Sequence, residues 1–126
     1  MTSQKDHNET GRGAEEHAAR MLVERGFQIL DRNYRVKRGE LDLVARDGEY
    51  LVFVEVRARR SERLGEAVET IGPSKRAALL RAARAWIEAH DAQGQPVRFD
   101  VITFSGEELE IGRHIEDTLE VADPWV

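Results

Sequence analysis

A mixed β-sheet flanked by helices, in an α/β fold, is what this 126-residue chain predicts. Three observations carry the prediction. Residues 13–25 and 73–90 repeat apolar side chains at helical spacing. FQILDRNYRV, LDLVAR, YLVFVEVRA and VRFDVITF have the branched and aromatic content of strands, each bounded by turn residues. The last of them is reached through the second helix, and a strand reached by a helical crossover runs parallel to a neighbour.

The elements follow in order. Residues 1–12 are polar and are expected as a disordered arm, which leaves 13–126 as a single domain. GAEEHAARMLVER is an amphipathic helix with Ala18, Ala19, Met21 and Leu22 on one stripe, closed by Gly26. Three strands come next, the second and third joined at Asp47-Gly48. Residues 58–72 form a longer loop. Pro73 suits the first position of the second helix, whose buried stripe is Leu79, Leu80, Ala83, Trp86 and Ile87. VRFDVITF is the fourth strand, and residues 109–115 are expected to add a short edge element. Gly39 is expected to relieve backbone strain where the second strand begins.

Composition excludes several classes. There is no cysteine, so neither a disulfide framework nor a thiolate metal site is available. No stretch is long and apolar enough for a membrane span, and the polar start is not a signal peptide, which suits a cytoplasmic protein. The net charge of −5 argues against indiscriminate polyanion binding. It conceals an asymmetry: from Arg57 to Arg84 eight basic residues face three acidic ones, while Ser105 to Val126 holds seven acids and one arginine. A basic middle can meet a phosphate backbone, although arginines on a helix are commonly a solvated face. The four histidines have no metal-ligand spacing and are expected on the surface. Trp86 is expected in the core, and Trp125 as a docking residue.

The hairpin holds the chemistry. With a two-residue turn at Asp47-Gly48, Asp42 faces Phe53 and Glu40 faces Glu55. One face then carries Leu41, Leu43, Ala45, Tyr50, Val52, Val54 and Val56, an apolar surface suited to the core. The other carries Glu40, Asp42, Val44, Leu51, Phe53, Glu55 and Arg57, its charges gathered at the end away from the turn. Opposed like charges destabilise a ladder, and a covered carboxylate needs a partner. Arg57, a divalent cation, or both would compensate. Asp42 and Glu55 suit Mg²⁺, with the Val56 carbonyl as a further oxygen ligand. Glu15 falls within the apolar stripe of the first helix, either aimed at these acids or snorkelling above the core. Asp100, in a largely apolar strand, reads as structural support for Arg98 or for the hairpin acids.

An acid in one hairpin strand followed by Glu-x-Lys in the next is the pattern of the PD-(D/E)xK nucleases, here Asp42 and Glu55-Val56-Arg57. The wider text resembles the bacterial YraN-like family over about residues 13–104: "GAEEHAARMLVERGFQILDRNYRVKRGELDLVARDGEYLVFVEVRAR", then "GPSKRAALLRAARAWI" and "RFDVI". That family is similar to archaeal Holliday junction resolvases. The resemblance implies a restriction-endonuclease-like fold in the order α-β-β-β-α-β, and Mg²⁺- or Mn²⁺-dependent cleavage of DNA, branched or recombining DNA included. By resemblance Glu15, Asp42 and Glu55 hold the metal, and Lys75 is the lysine that opens the second helix. Asp100 matches the aspartate of the RFDV stretch.

The chain departs from that pattern at Arg57, where the family has lysine. Arginine keeps its proton, so Arg57 can neutralise a phosphate but cannot be a base. Lys75 is the candidate to take over. Arg59, Arg60, Arg63, Lys75 and Arg76 are candidate nucleic-acid contacts, and a homodimer would suit cutting two strands. Two other functions remain open: a non-catalytic nucleic-acid-binding module, and an adaptor docking a protein through the acidic tail and Trp125.

Overall fold

The structure, a computed structural model, describes residues 3–58, 72–106 and 110–118. Its elements run α1 (Ser3–Glu24), β1 (Gln28–Val36), β2 (Gly39–Asp47), β3 (Tyr50–Ala58), α2 (Pro73–Ala89), β4 (Val97–Ser105) and β5 (Ile111–Ile115). The sheet order is β1-β2-β3-β4-β5. All pairs are antiparallel except β3–β4, which is parallel, as the α2 crossover requires.

The sheet separates two apolar layers. Leu43, Ala45, Val52, Val54, Ile102 and Phe104 pack on Ala14, Ala18, Ala19 and Leu22 of α1. Val44, Leu51, Phe53, Phe99 and Val101 pack on Leu79, Ala82, Ala83, Trp86 and Ile87 of α2. Successive strand residues point to opposite faces, so β2, β3 and β4 each serve both layers. The α2 stripe includes Ala82 where Leu80 was expected, and Leu80 is only partly buried against it. Trp86 is in the core, and its Nε1–H donates to Asp31 Oδ2 at 2.9 Å.

Helix α1 begins at Ser3, so the backbone of the segment expected as a disordered arm is helical from there. Apolar periodicity gives no signal over those polar residues, whereas a helix propagates readily from a packed turn. Its other end follows the sequence. Phe27 N–H bonds Leu22 C=O and Gly26 N–H bonds Val23 C=O, with Gly26 at φ +91. That is a Schellman motif, with Phe27 and Leu22 in one apolar cluster.

The β2–β3 turn departs from the predicted register. Asp47 pairs with Tyr50, so Gly48 and Glu49 are the two turn residues. Gly48 takes φ +59 at the first turn position, where a type II′ turn favours glycine. Placing Asp47 there would have forced it into the left-handed region. Every pair moves by two residues, which preserves the faces near the turn, and Phe53 pairs with Val44 instead of Asp42. Two members of the expected core face differ. Leu41 joins the α2 layer, and Tyr50, at the sheet's end, is 41 % exposed.

Gly39 has another reason to be glycine. A Cβ there would stand 2.6 Å from Ala78 O and 3.2 Å from Ala82 N of α2. Close approach of a helix backbone, and not strain at the strand start, requires it. Gly39→Ala is expected to destabilise the fold by about 1–3 kcal/mol, as overpacking does, measured by urea unfolding. A loss below about 0.5 kcal/mol would show that α2 yields without penalty.

Candidate metal and phosphate site

The candidate site lies where β2 and β3 part. Their last registered pair is Leu43↔Val54. Beyond it, Asp42 Oδ2 accepts the N–H of Val56 at 2.8 Å. Side chain thus bonds to backbone across the divergence, which fixes the Asp42 carboxylate against β3. Glu55 follows on β3 with its side chain 8 % exposed. Lys75 Nζ of α2 stands 3.4 Å from Glu55 Oε1, and Arg57 Nε stands 3.6 Å from the same oxygen. Both cations approach Oε1, while Glu55 Oε2 is buried with no hydrogen-bond partner. Arg57 Nε is likewise buried without one.

The carboxylates carry more negative charge than the cations balance. Burial first, and the neighbouring Asp42 second, push Glu55 up to about 7 against the pull of Lys75 and Arg57. Burial also raises Asp42; the Val56 N–H and Lys75 only partly oppose it. Glu15 of α1 is raised by burial and then by Asp42, with Asn33 as an opposing hydrogen-bond partner. Glu40 adds to the field on both Asp42 and Glu15.

Asp42, Glu55, Arg57 and Lys75 are therefore gathered, and Val56 is joined to Asp42 through its amide. Glu15 is part of the same field but does not close a tight trio with Asp42 and Glu55. Among the described residues, the group whose three ligand atoms all lie within 4.8 Å of one another is Asp100, His114 and Glu116. A cation already fills that group. Arg98 reaches Asp100 Oδ1 at 2.9 Å, Asp47 at 3.0 Å and Glu116 at 3.5 Å, and its second bond to Asp100, at Oδ2, is 3.0 Å. Asp100 is thus support for Arg98, on the sheet face covered by α1.

His114 corrects an expectation. Its side chain is fully buried, with Nε2 at 2.8 Å from Asp100 Oδ2 and the ring edge-on to Phe27. The histidine sits in a short edge strand beside the exposed Arg113, and sequence alone gives no sign of the buried carboxylate opposite. His17 and His90 lie on the surface as expected, His90 stacked on Trp86 at 3.9 Å. Arg76 is exposed on α2. Arg59, Arg60, Arg63, the 59–71 part of the basic loop, the His7 side chain and Trp125 lie outside the described residues. Sequence reading missed the contributions of Asn33, Arg35 and Arg38. The basic run around Val36 in YRVKRGE was the available signal.

Fold and site together define a class: a three-layer α/β domain with buried acids and two cations at a strand divergence. The chain belongs to the Uncharacterised protein family UPF0102, whose sequence profile matches residues 14–104. It is similar to UPF0102 proteins of Anaeromyxobacter dehalogenans (54 % identical; 73 % of this chain, 69 % of the relative) and Alkalilimnicola ehrlichii (44 %; 86 % of each chain). A third, from Chlorobium phaeobacteroides, is 38 % identical over 90 % of each chain. No helix among the described residues is long and apolar enough to cross a membrane.

Proposed function

We propose that the chain is a metal-dependent endonuclease that hydrolyses DNA phosphodiester bonds, with branched or recombining DNA as the substrate suggested by the resemblance. The observation that carries this reading is Glu55 Oε2: a buried carboxylate oxygen without a partner, beside a second, partly buried acid, Asp42. The donors fit Mg²⁺ or Mn²⁺, which take carboxylate and carbonyl oxygens and keep several waters. Asp42, Glu55 and the Val56 carbonyl would hold the ion, with Glu15 reaching it through solvent. A divalent cation so held supplies charge stabilisation at a phosphoryl oxygen and activation of water.

The chain's own residues supply the rest. Asp42 is oriented by the Val56 amide. Arg57, always protonated, offers fixed positive charge to the phosphate. Lys75 is the cation able to exchange a proton. Beside Glu55 Oε1, it would hold a phosphoryl oxygen as the ammonium or, as the amine, take a proton from the attacking water. The helix lysine thus stands in for the missing strand lysine.

Purified protein is to be incubated with plasmid, linear and four-way-junction DNA in Mg²⁺ or Mn²⁺. Asp42→Asn and Glu55→Gln are expected to lower cleavage by about 10²-fold or more, the scale of losing charge stabilisation at the reacting phosphate. Lys75→Ala is expected to lose about as much, with partial recovery when Arg57→Lys is added. DNA binding without cleavage by the wild type would reject the enzyme and leave a binding module. Equal cleavage by wild type and both acid variants would reveal a contaminant.

A further inference from the structure

Beside the carboxylates lies an open cleft of about 440 Å³ lined by Arg35, Arg38, Glu40, Gly39 and Lys75. It is continuous with the site, since Lys75 belongs to both. Its outer wall is the β1–β2 turn, where Val36 pairs with Gly39 and Lys37-Arg38 form the tip. Both tip residues are exposed. Arg38 holds φ +63, a left-handed backbone that glycine or asparagine adopts far more readily than arginine. Arg81 of α2 fastens the turn by donating to Arg38 O at 2.6 Å. The acid in the cleft, Glu40, is met by Arg35 at 3.4 Å.

In a chain of net charge −5, a turn tied to α2 and presenting Lys37 and Arg38, joined to Lys75 through a cleft, is a local reversal of field. Solvated turn charges need neither an unfavourable φ at arginine nor a tether to the next helix. We infer that the β1–β2 turn and this cleft seat the phosphodiester backbone of nucleic acid next to the phosphate being cut, with Lys37 and Arg38 on flanking phosphates. The inference rests on the endonuclease reading for its ligand and adds the direction from which the strand enters: along the β1–β2 turn and over Gly39 to Lys75. The absent side chain of Gly39 also lets α2 close the cleft floor.

The test is equilibrium binding, so it is independent of catalysis. A fluorescein-labelled duplex oligonucleotide is titrated with wild type and with Lys37→Gln/Arg38→Asn, with Ca²⁺ in place of Mg²⁺, over a range of salt. Asparagine at 38 tolerates the left-handed backbone, and circular dichroism checks that the variant is folded. The expected result is a log–log salt slope shallower by about 2, from two lost phosphate contacts at about 0.9 each. Affinity is expected to fall about tenfold or more at low salt. Lys37→Glu, a second variant, is expected to weaken binding further than Lys37→Gln. Equal slopes and affinities for wild type and variants would overturn the inference and leave the endonuclease reading standing. A lowered slope with no Mn²⁺-dependent cleavage by the wild type would do the reverse. Equal displacement of the duplex by polyglutamate at matched charge would overturn it in favour of an acidic protein partner.

Discussion

Asp100→Ala is expected to lower the stability of the fold by about 3–5 kcal/mol, because it takes from a largely buried cation its one buried carboxylate partner. Asp100 is 1 % exposed. It accepts from Arg98 at both oxygens, from His114 Nε2 at 2.8 Å and from the Asp117 N–H at 3.0 Å. Carboxylate oxygens only accept, so His114 donates its Nε2 proton. Burial alone would raise the Asp100 carboxyl; the bonds from His114, Arg98 and Asp117 together outweigh it and hold it below the usual range. Hydrogen bonding to Asp100 in turn lifts Arg98 above its ordinary value despite burial. Arg98 also lies 5.6 Å from the ring centroids of Phe27 and Tyr50, and its side chain is only 12 % exposed, so water replaces the lost carboxylate poorly. Guanidinium chloride unfolding measures the loss. The double variant Asp100→Ala/Arg98→Met is expected to recover part of it, since removing both charges is milder than stranding one. A loss below about 1 kcal/mol for the single variant would mean that Asp47 and Glu116 suffice for Arg98.

The second large effect is a stability that falls between pH 4.5 and about 7 and returns when Mn²⁺ is added. Glu55 titrates near 4.5 in the unfolded chain and near 7 in the fold. Between those values the folded state holds a proton that the unfolded chain has released, so raising the pH draws the equilibrium towards unfolding. Below 4.5 both states are protonated and the penalty is absent; above 7 it is complete. Its size is on the order of 3 kcal/mol, and Asp42, raised in the same sense, acts in the same direction. Asp100 works oppositely: its stabilisation is present above the unfolded value of 3.8 and is lost as the pH falls through its lower folded value. The windows of Asp100 and Glu55 do not overlap: the first closes by pH 3.8 and the second opens at 4.5. Thermal unfolding at pH 5 and pH 8 is the measurement. Glu55→Gln should flatten the difference and abolish the response to Mn²⁺ at pH 8. A wild-type midpoint that is equal at both pH values, or a Mn²⁺ response that survives in Glu55→Gln, would remove the uncompensated charge on which the metal reading stands.

Gly39→Ala bears on both the fold and the proposed chemistry. A helix displaced from Gly39 takes Lys75 away from Glu55, so this variant should lose cleavage as well as stability. The three variants thus act on separate parts of the molecule: one on the Arg98 network, one on the charge at the site, one on the distance between α2 and the hairpin.

Local chemistry is written along the chain. Gly26 announced the end of α1, Pro73 the start of α2, and the alternation from Leu43 to Val54 the two faces of the hairpin. Asp42, Glu55 and Arg57 were already conspicuous as acids and a base in strand-forming sequence. Each of these rests on a backbone preference or a period of a few residues, which neighbours along the chain suffice to express. Other features depend on contacts between distant segments. The turn moved by one residue, and the pairing by two, because glycine, not aspartate, takes the left-handed position, and that shift carried Asp42 past Phe53 to the Val56 amide. Lys75 meets Glu55 because α2 can lie against Gly39. His114 is buried because β5 brings it to Asp100. Which groups share one low-dielectric space is a property of packing, and so only the folded chain joins these charges into a site.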